Sequence, residues 1–338
     1  MSGLSLVEEE PQLPAGEHGI LLPPKIYLDT NHLVNITKAR RCASTGAYSI
    51  LDRYLRSGCV GIIFSPAAAL DWVDGKATVE TAMELAEVVD SARLQYEIEM
   101  DSFVFLHEIQ AELRRIEPSI RLPDFDVFFV RDITKAARRA LPVLKNNVPG
   151  FFEPGELLHP DVELPHDIEI ATAAEHVERA YICKTERPAV YQERVDGHKA
   201  AYCHDIDTLA GRHKKDFASA ENLGWVKRFV RADRVVAALN PGLPVDELLA
   251  RGDVTRCPAV NLFLDAHLQR IRAGHAVQDN DVDDWMIVHI VPYADVVLTE
   301  RSLAHFIRSA DQTLEARVTH DPERAIELDQ SLLGAQAT

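Results

Sequence analysis

Short apolar runs that stop at a polar residue mark both ends of the chain, and stretches with helical spacing fill the region between them. Lys25-Ile-Tyr-Leu-Asp-Thr-Asn31 reads as a strand that stops at Asp29, and His32 to Lys38 has the texture of a helix start. Val60-Gly-Ile-Ile-Phe64 predicts a second strand. Ser65-Pro66 closes it, and Pro66 suits the first turn of a following helix because its missing N–H would find no partner there. Apolar positions at Val79, Met83 and Ala86 predict one long helix over about 77–116.

Prolines then recur at Pro118, Pro123, Pro142, Pro149, Pro154 and Pro160, and helical order is interrupted. Helical spacing resumes over 166–250, and Val260, Leu264, Leu268 and Ile271 mark another amphipathic helix before Gly274. The last unit runs from Asp281 to Ala310. It predicts a helix through Trp285, Met286 and Ile290, a Pro292-Tyr293 turn, a strand over 294–299 and a helix from Ser302.

Strands that alternate with helices at both ends imply an α/β fold, three-layer α/β/α, with a central mostly parallel sheet and a large helical insertion. The expected boundaries are a flexible N-terminal extension at 1–24, rich in proline, and a core made of 25–90 and 255–312. A mainly helical insertion spans 91–254, and a C-terminal tail covers 313–338.

Composition narrows the picture. With 338 residues and 46% hydrophobic content the chain can bury a sizeable core. Five scattered cysteines, without a CxxC pair, read as reduced thiols of a cytoplasmic protein. Glu8, Glu9 and Glu10 stand where a secretory signal would be apolar, and no run approaches the ~18 apolar residues of a membrane span, so no membrane partner is expected. A formal charge of −17 argues against broad adhesion to phosphate backbones, so contact with nucleic acid must be local. There is no Walker A loop, no strand-borne GxGxxG and no GxSxG elbow.

Ligands of open α/β sheets collect at the carboxyl ends of the strands, where Asp29, Thr299 and Glu300 fall and which Asp71 follows. Three pieces of sequence then carry a resemblance: Leu28-Asp-Thr-Asn31; Asn280-Asp-Val-Asp-Asp284 ahead of Pro292-Tyr-Ala-Asp295; and Val296-Val-Leu-Thr299 followed by Glu300. In these pieces the chain resembles the PIN-like superfamily of metal-dependent ribonucleases, over about 25–75 and 257–310.

The resemblance implies Asp29 and Asp284 as metal-binding acids, with Asp281 or Glu300 supplying a further charge, and Asp71 where many members carry an acid, usually Glu. Asn31 and Thr299 become polar neighbours of the site. The sequence departs from the pattern at Arg301, where the family commonly has Asp. Oxygen ligands with no nearby Cys or paired His imply Mg²⁺ or Mn²⁺.

The expected activity is hydrolysis of phosphodiester bonds in single-stranded RNA. Arg301 is a candidate clamp for a phosphate, and Lys227 and Arg231 share one face of an amphipathic stretch with Arg234 as a second basic surface. Two alternatives stand beside this reading: a catalytically silent module that binds RNA or protein, and the toxin of a toxin–antitoxin pair. The helical insertion is the expected surface for a second copy or a protein partner.

Overall fold

The structure, a computed structural model, describes residues 23–43, 45–74, 78–98, 101–121, 128–131, 172–189, 191–192, 232–275 and 287–336. Its centre is a sheet of six short strands: β1 (Lys25–Leu28), β2 (Gly61–Phe64), β3 (Gln95–Ile98), β4 (Phe128–Arg131), β5 (Val296–Leu298) and β6 (Val318–Thr319). Their spatial order is β4-β3-β2-β1-β5-β6. Five strands run parallel and β4 pairs antiparallel with β3 at one edge. The mostly parallel α/β architecture expected from the sequence is therefore present.

Strand residues alternate between two apolar layers, as the two-residue period of a strand requires. Tyr27, Ile63, Tyr96, Val297 and Val318 enter one core, while Ile26, Leu28, Ile62, Phe64, Val296 and Leu298 enter the other. Helices cover both faces, which is why the strands read as nearly continuous apolar runs. The second layer holds α1 (Thr30–Cys42), α2 (Ala47–Ser57), α3 (Pro66–Asp74), α4 (Val79–Asp90) and α6 (Ala173–Glu186), through Leu33, Leu51, Trp72, Leu85 and Val177. The first layer holds α5 (Asp101–Ile116), α7 (Ala232–Leu239), α8 (Val245–Ala250), α9 (Pro258–Arg272) and α10 (Arg301–Ala310), through Phe105, Val236, Leu248, Phe263 and Leu303. A last helix, α11 (Pro322–Gln336), returns to the second layer with Ala325 and Ile326.

Apart from α6 and the last helix α11, this division has a cause. A crossover between parallel strands is right-handed, so helices change face when the chain changes its direction of travel across the sheet. From β1 the chain moves outward through β2 to β3, and it later returns to β1's other side as β5 and β6. The order therefore reverses between β1 and β5. Such a reversal splays the flanking connections apart and opens a crevice at the carboxyl ends of the two strands.

Local chemistry fixes several boundaries. Gly58 ends α2 at φ +80, a left-handed conformation that suits glycine. Gly61 starts β2 under the ring of Tyr96, where a Cβ would lie 2.3 Å from the tyrosine Cε2. Thr172 and Glu175 form a reciprocal capping box at the start of α6. Glu108 of α5 reaches across to the start of α9, where it accepts from the Ala259 N–H at 2.9 Å and the Val260 N–H at 3.1 Å. The Tyr293 hydroxyl donates to the same carboxyl at 2.9 Å.

Four expectations change here. The long helix over 77–116 is two helices separated by β3, which pairs with β2. The segment read as a mainly helical insertion thus contributes two strands to the sheet. The stretch 313–338, read as a tail, carries β6 and α11 and joins the core. Ahead of β5 the expected helix appears in its described part as a 3₁₀ turn, Val288–Tyr293, that contains Pro292. No helix among the described residues is long and apolar enough to cross a membrane.

Candidate active site

Asp29 is the first residue beyond β1, at the reversal point. Its N–H donates to the Leu298 carbonyl at 3.0 Å, so the β1–β5 ladder extends to this residue. Its backbone is extended and it caps α1. Its carbonyl accepts from the His32 and Leu33 N–H groups, and its carboxylate accepts from the Thr30 N–H at 2.6 Å. A second carboxylate bond comes from Thr299, whose hydroxyl donates at 3.2 Å from the end of β5. Asp29 is only 3% exposed and Thr299 is fully buried. Burial raises the carboxyl pKa above its ordinary value, while the Thr30 N–H, the Thr299 hydroxyl and the Glu300 N–H oppose that shift.

Two further acids stand close to this turn. The Thr30 hydroxyl donates to Asp71 at 2.9 Å, and it accepts from the buried Trp72 indole at 3.1 Å. Asp71, on α3, is thus one side chain removed from the Asp29 cap. Glu300 caps the start of α10, and its carboxylate accepts a hydrogen bond from the Asn31 amide. Strand-end geometry accordingly brings Asp29, Asn31, Asp71, Thr299 and Glu300 to one edge of the sheet. Among the described residues, however, no three acidic, histidine or cysteine side chains converge closely enough to hold an ion. Asp281, Asp284, Lys227 and Arg231 lie outside the described residues.

The sequence reading missed His32. Its Nε2 faces the Thr299 carbonyl at 3.4 Å and its Nδ1 meets the Tyr48 hydroxyl at 3.0 Å. A carbonyl can only accept, so Nε2 carries the proton and Nδ1 accepts from tyrosine. The Tyr48 oxygen in turn accepts from the Asn35 amide at 3.2 Å. Burial lowers the His32 pKa, outweighing the Thr299 carbonyl and the charge of Glu300. The ring is therefore a neutral strut between α2 and the end of β5. Its position three residues after Asp29 was visible in the sequence, but its partners at Tyr48 and Thr299 were not.

An open groove of about 670 Å³ begins at this strut. Asn31, His32 and Thr299 line it beside the ends of β1 and β5, and Glu300, Arg301, Ser302 and His305 line it along the start of α10. His320 closes the far side from the end of β6. Arg301, expected as a substrate contact, is exposed in this lining. His305 and His320 carried no sequence signal, since only the pairing of β6 beside β5 brings them together. No family model, no curated protein and no solved structure matches this chain.

Proposed function

We propose that the chain is a PIN-type, metal-dependent nuclease that hydrolyses phosphodiester bonds of single-stranded RNA in the crevice beyond β1 and β5. The observation that supports this most is the buried carboxylate of Asp29 where the order of the described strands reverses. The side chains gathered there offer oxygen donors without a cysteine, which suits Mg²⁺ or Mn²⁺. Asp29 would hold the ion together with Asp284, and Asp71 and Glu300 flank it. When bound, such a cation supplies positive charge that polarises a phosphoryl oxygen and eases deprotonation of the attacking water.

The chain's own residues do the rest. The Thr30 N–H and the Thr299 hydroxyl fix one orientation of the Asp29 carboxylate, so little reorganisation is needed when a ligand arrives. Asn31 restrains Glu300, and Arg301 presents a guanidinium fork to a phosphate at the groove. Because burial raises the Asp29 pKa, activity should fall as pH falls through that value and Asp29 takes up a proton.

The test is cleavage of end-labelled single-stranded RNA with Mn²⁺, Mg²⁺ or EDTA. Metal-dependent cutting by the wild type should drop at least about a hundredfold in Asp29→Asn. Equal cutting by both proteins would reject Asp29 as the catalytic acid. A silent RNA-binding module is the second reading, favoured by Arg301, exposed at the groove where the resembled family commonly carries an acid. It predicts equal RNA binding by both proteins and no cleavage by either.

A further inference from the structure

We propose that the groove beside Asp29 is a receptor for a terminal phosphate, the phosphomonoester at one end of a nucleic-acid strand. Besides Asn31 and the inward-held His32, three basic side chains from two elements border the same cavity. Arg301 and His305 are four residues apart on α10 and so share a face, and His320 approaches from the end of β6. The Ser302 hydroxyl adds a fourth donor. Against these donors stands a single carboxylate among the described lining residues, Glu300, which is engaged by the Asn31 amide.

On a chain of formal charge −17, such a concentration of cationic and protonatable groups runs against the general field and marks where an anion would be held. Arg301 makes no ion pair among the described residues, so its fork is available to a ligand. A guanidinium matches phosphate oxygens two at a time, and imidazole nitrogens can donate to a third. An internal diester carries one charge and two free oxygens. A monoester carries up to two charges and three free oxygens, which a fork and two imidazoles placed around one cavity serve better.

The groove volume of about 670 Å³ exceeds what a phosphate needs and leaves space for the attached nucleoside. Thr299 lines the groove and donates to Asp29, so a strand anchored here by its end would lead its next linkages toward that carboxylate. That the phosphate belongs to a strand end rests on the nuclease reading; the anion site itself does not.

The experiment is binding of labelled oligoribonucleotides to the full chain in EDTA, followed by fluorescence anisotropy, so that cleavage plays no part. One oligonucleotide carries a 5′-phosphate, one a 3′-phosphate, and one hydroxyls at both ends. One phosphorylated form should bind about tenfold tighter than the hydroxyl form, the usual worth of hydrogen bonds to a charged group. Inorganic phosphate should erase that advantage. Arg301→Gln should remove it while the thermal unfolding midpoint stays unchanged, and His305→Gln should reduce it.

Equal binding of all three oligonucleotides would overturn the proposal, as would an advantage that survives Arg301→Gln. Binding of inorganic phosphate without any preference for a strand end would overturn the strand-end assignment in favour of a free-phosphate pocket. Failure to cut RNA with Mn²⁺ would count against the nuclease reading and leave these binding results standing.

Discussion

Asp29 at the carboxyl edge of the sheet and Asp329 toward its amino edge are buried to nearly the same degree, 3% and 0% exposed, yet their surroundings differ completely. Asp29 receives two hydrogen bonds, from the Thr30 N–H and the Thr299 hydroxyl, and the nearby Glu300 N–H also favours its charged form. Asp329, on α11, has no hydrogen-bond partner for either carboxyl oxygen among the described residues. Burial and then the charge of Asp295, which holds the start of β1 through the Lys25 N–H, push its pKa up to about 7. The contrast follows from topology. In a parallel α/β sheet each strand runs into a helix start, so the carboxyl edge is supplied with free N–H groups, whereas the amino edge meets helix ends that offer carbonyls. A buried acid can therefore be held ready for chemistry at one edge, and at the other it is tolerated only as a neutral group.

Glu108 gives the strongest test of that contrast. It accepts from two N–H groups of α9 and from Tyr293, yet burial still pushes its pKa up to about 7. Glu108→Ala leaves those three donors without an acceptor and should destabilise the chain by about 3 kcal/mol in urea unfolding, with a smaller loss for Glu108→Gln. A loss below about 1 kcal/mol for the alanine variant would show that donors matter less than the comparison requires.

A smaller effect is expected at Asp329. Its folded pKa lies above the unfolded value, so the fold favours the protonated form. The penalty is absent below the unfolded value of 3.8, grows as pH rises from there, and is complete above about 7. Asp329→Asn should consequently be more stable than wild type by about 1 kcal/mol at alkaline pH, and the gain should vanish toward pH ~4. Unfolding curves across that range check it, and a gain independent of pH would remove the titration argument.

The smallest change in stability belongs to Thr299→Val, under about 1 kcal/mol. Its value lies in the pH profile. Without the Thr299 hydroxyl the Asp29 pKa rises further, so the acidic limb of the proposed metal-dependent RNA cleavage should move to higher pH. An unmoved limb would detach Thr299 from Asp29 function.

Much of this arrangement was legible in the chain. β1, β2, β5 and the helix through Val260 and Leu264 announce themselves as apolar runs or periodic stretches, and Asp29 follows from where β1 stops. β3 was hidden because Gln95 and Glu97 are buried polar residues in a strand of four, so local pattern merged it with the helices on either side. β6 escaped because two residues carry no periodicity. Glu108 caps a helix that begins 150 positions later in the chain, and no local rule reaches that far. The same limit applies to His32, His305 and His320, whose meeting depends on the pairing of β1, β5 and β6.

That pairing also sets an order in time. β1 and its neighbour β5 are far apart in sequence, so the bond from the Asp29 N–H to Leu298 closes a very long loop. Contacts so far apart in sequence form late and slowly. During synthesis Asp29 must wait beside an open strand edge until residues 296–319 have left the ribosome, and only then does the crevice acquire its second wall. The edge that holds Asp29 is thus the last part of the sheet to exist, and a chain interrupted before β5 could fold its first strands and helices without ever assembling the candidate site.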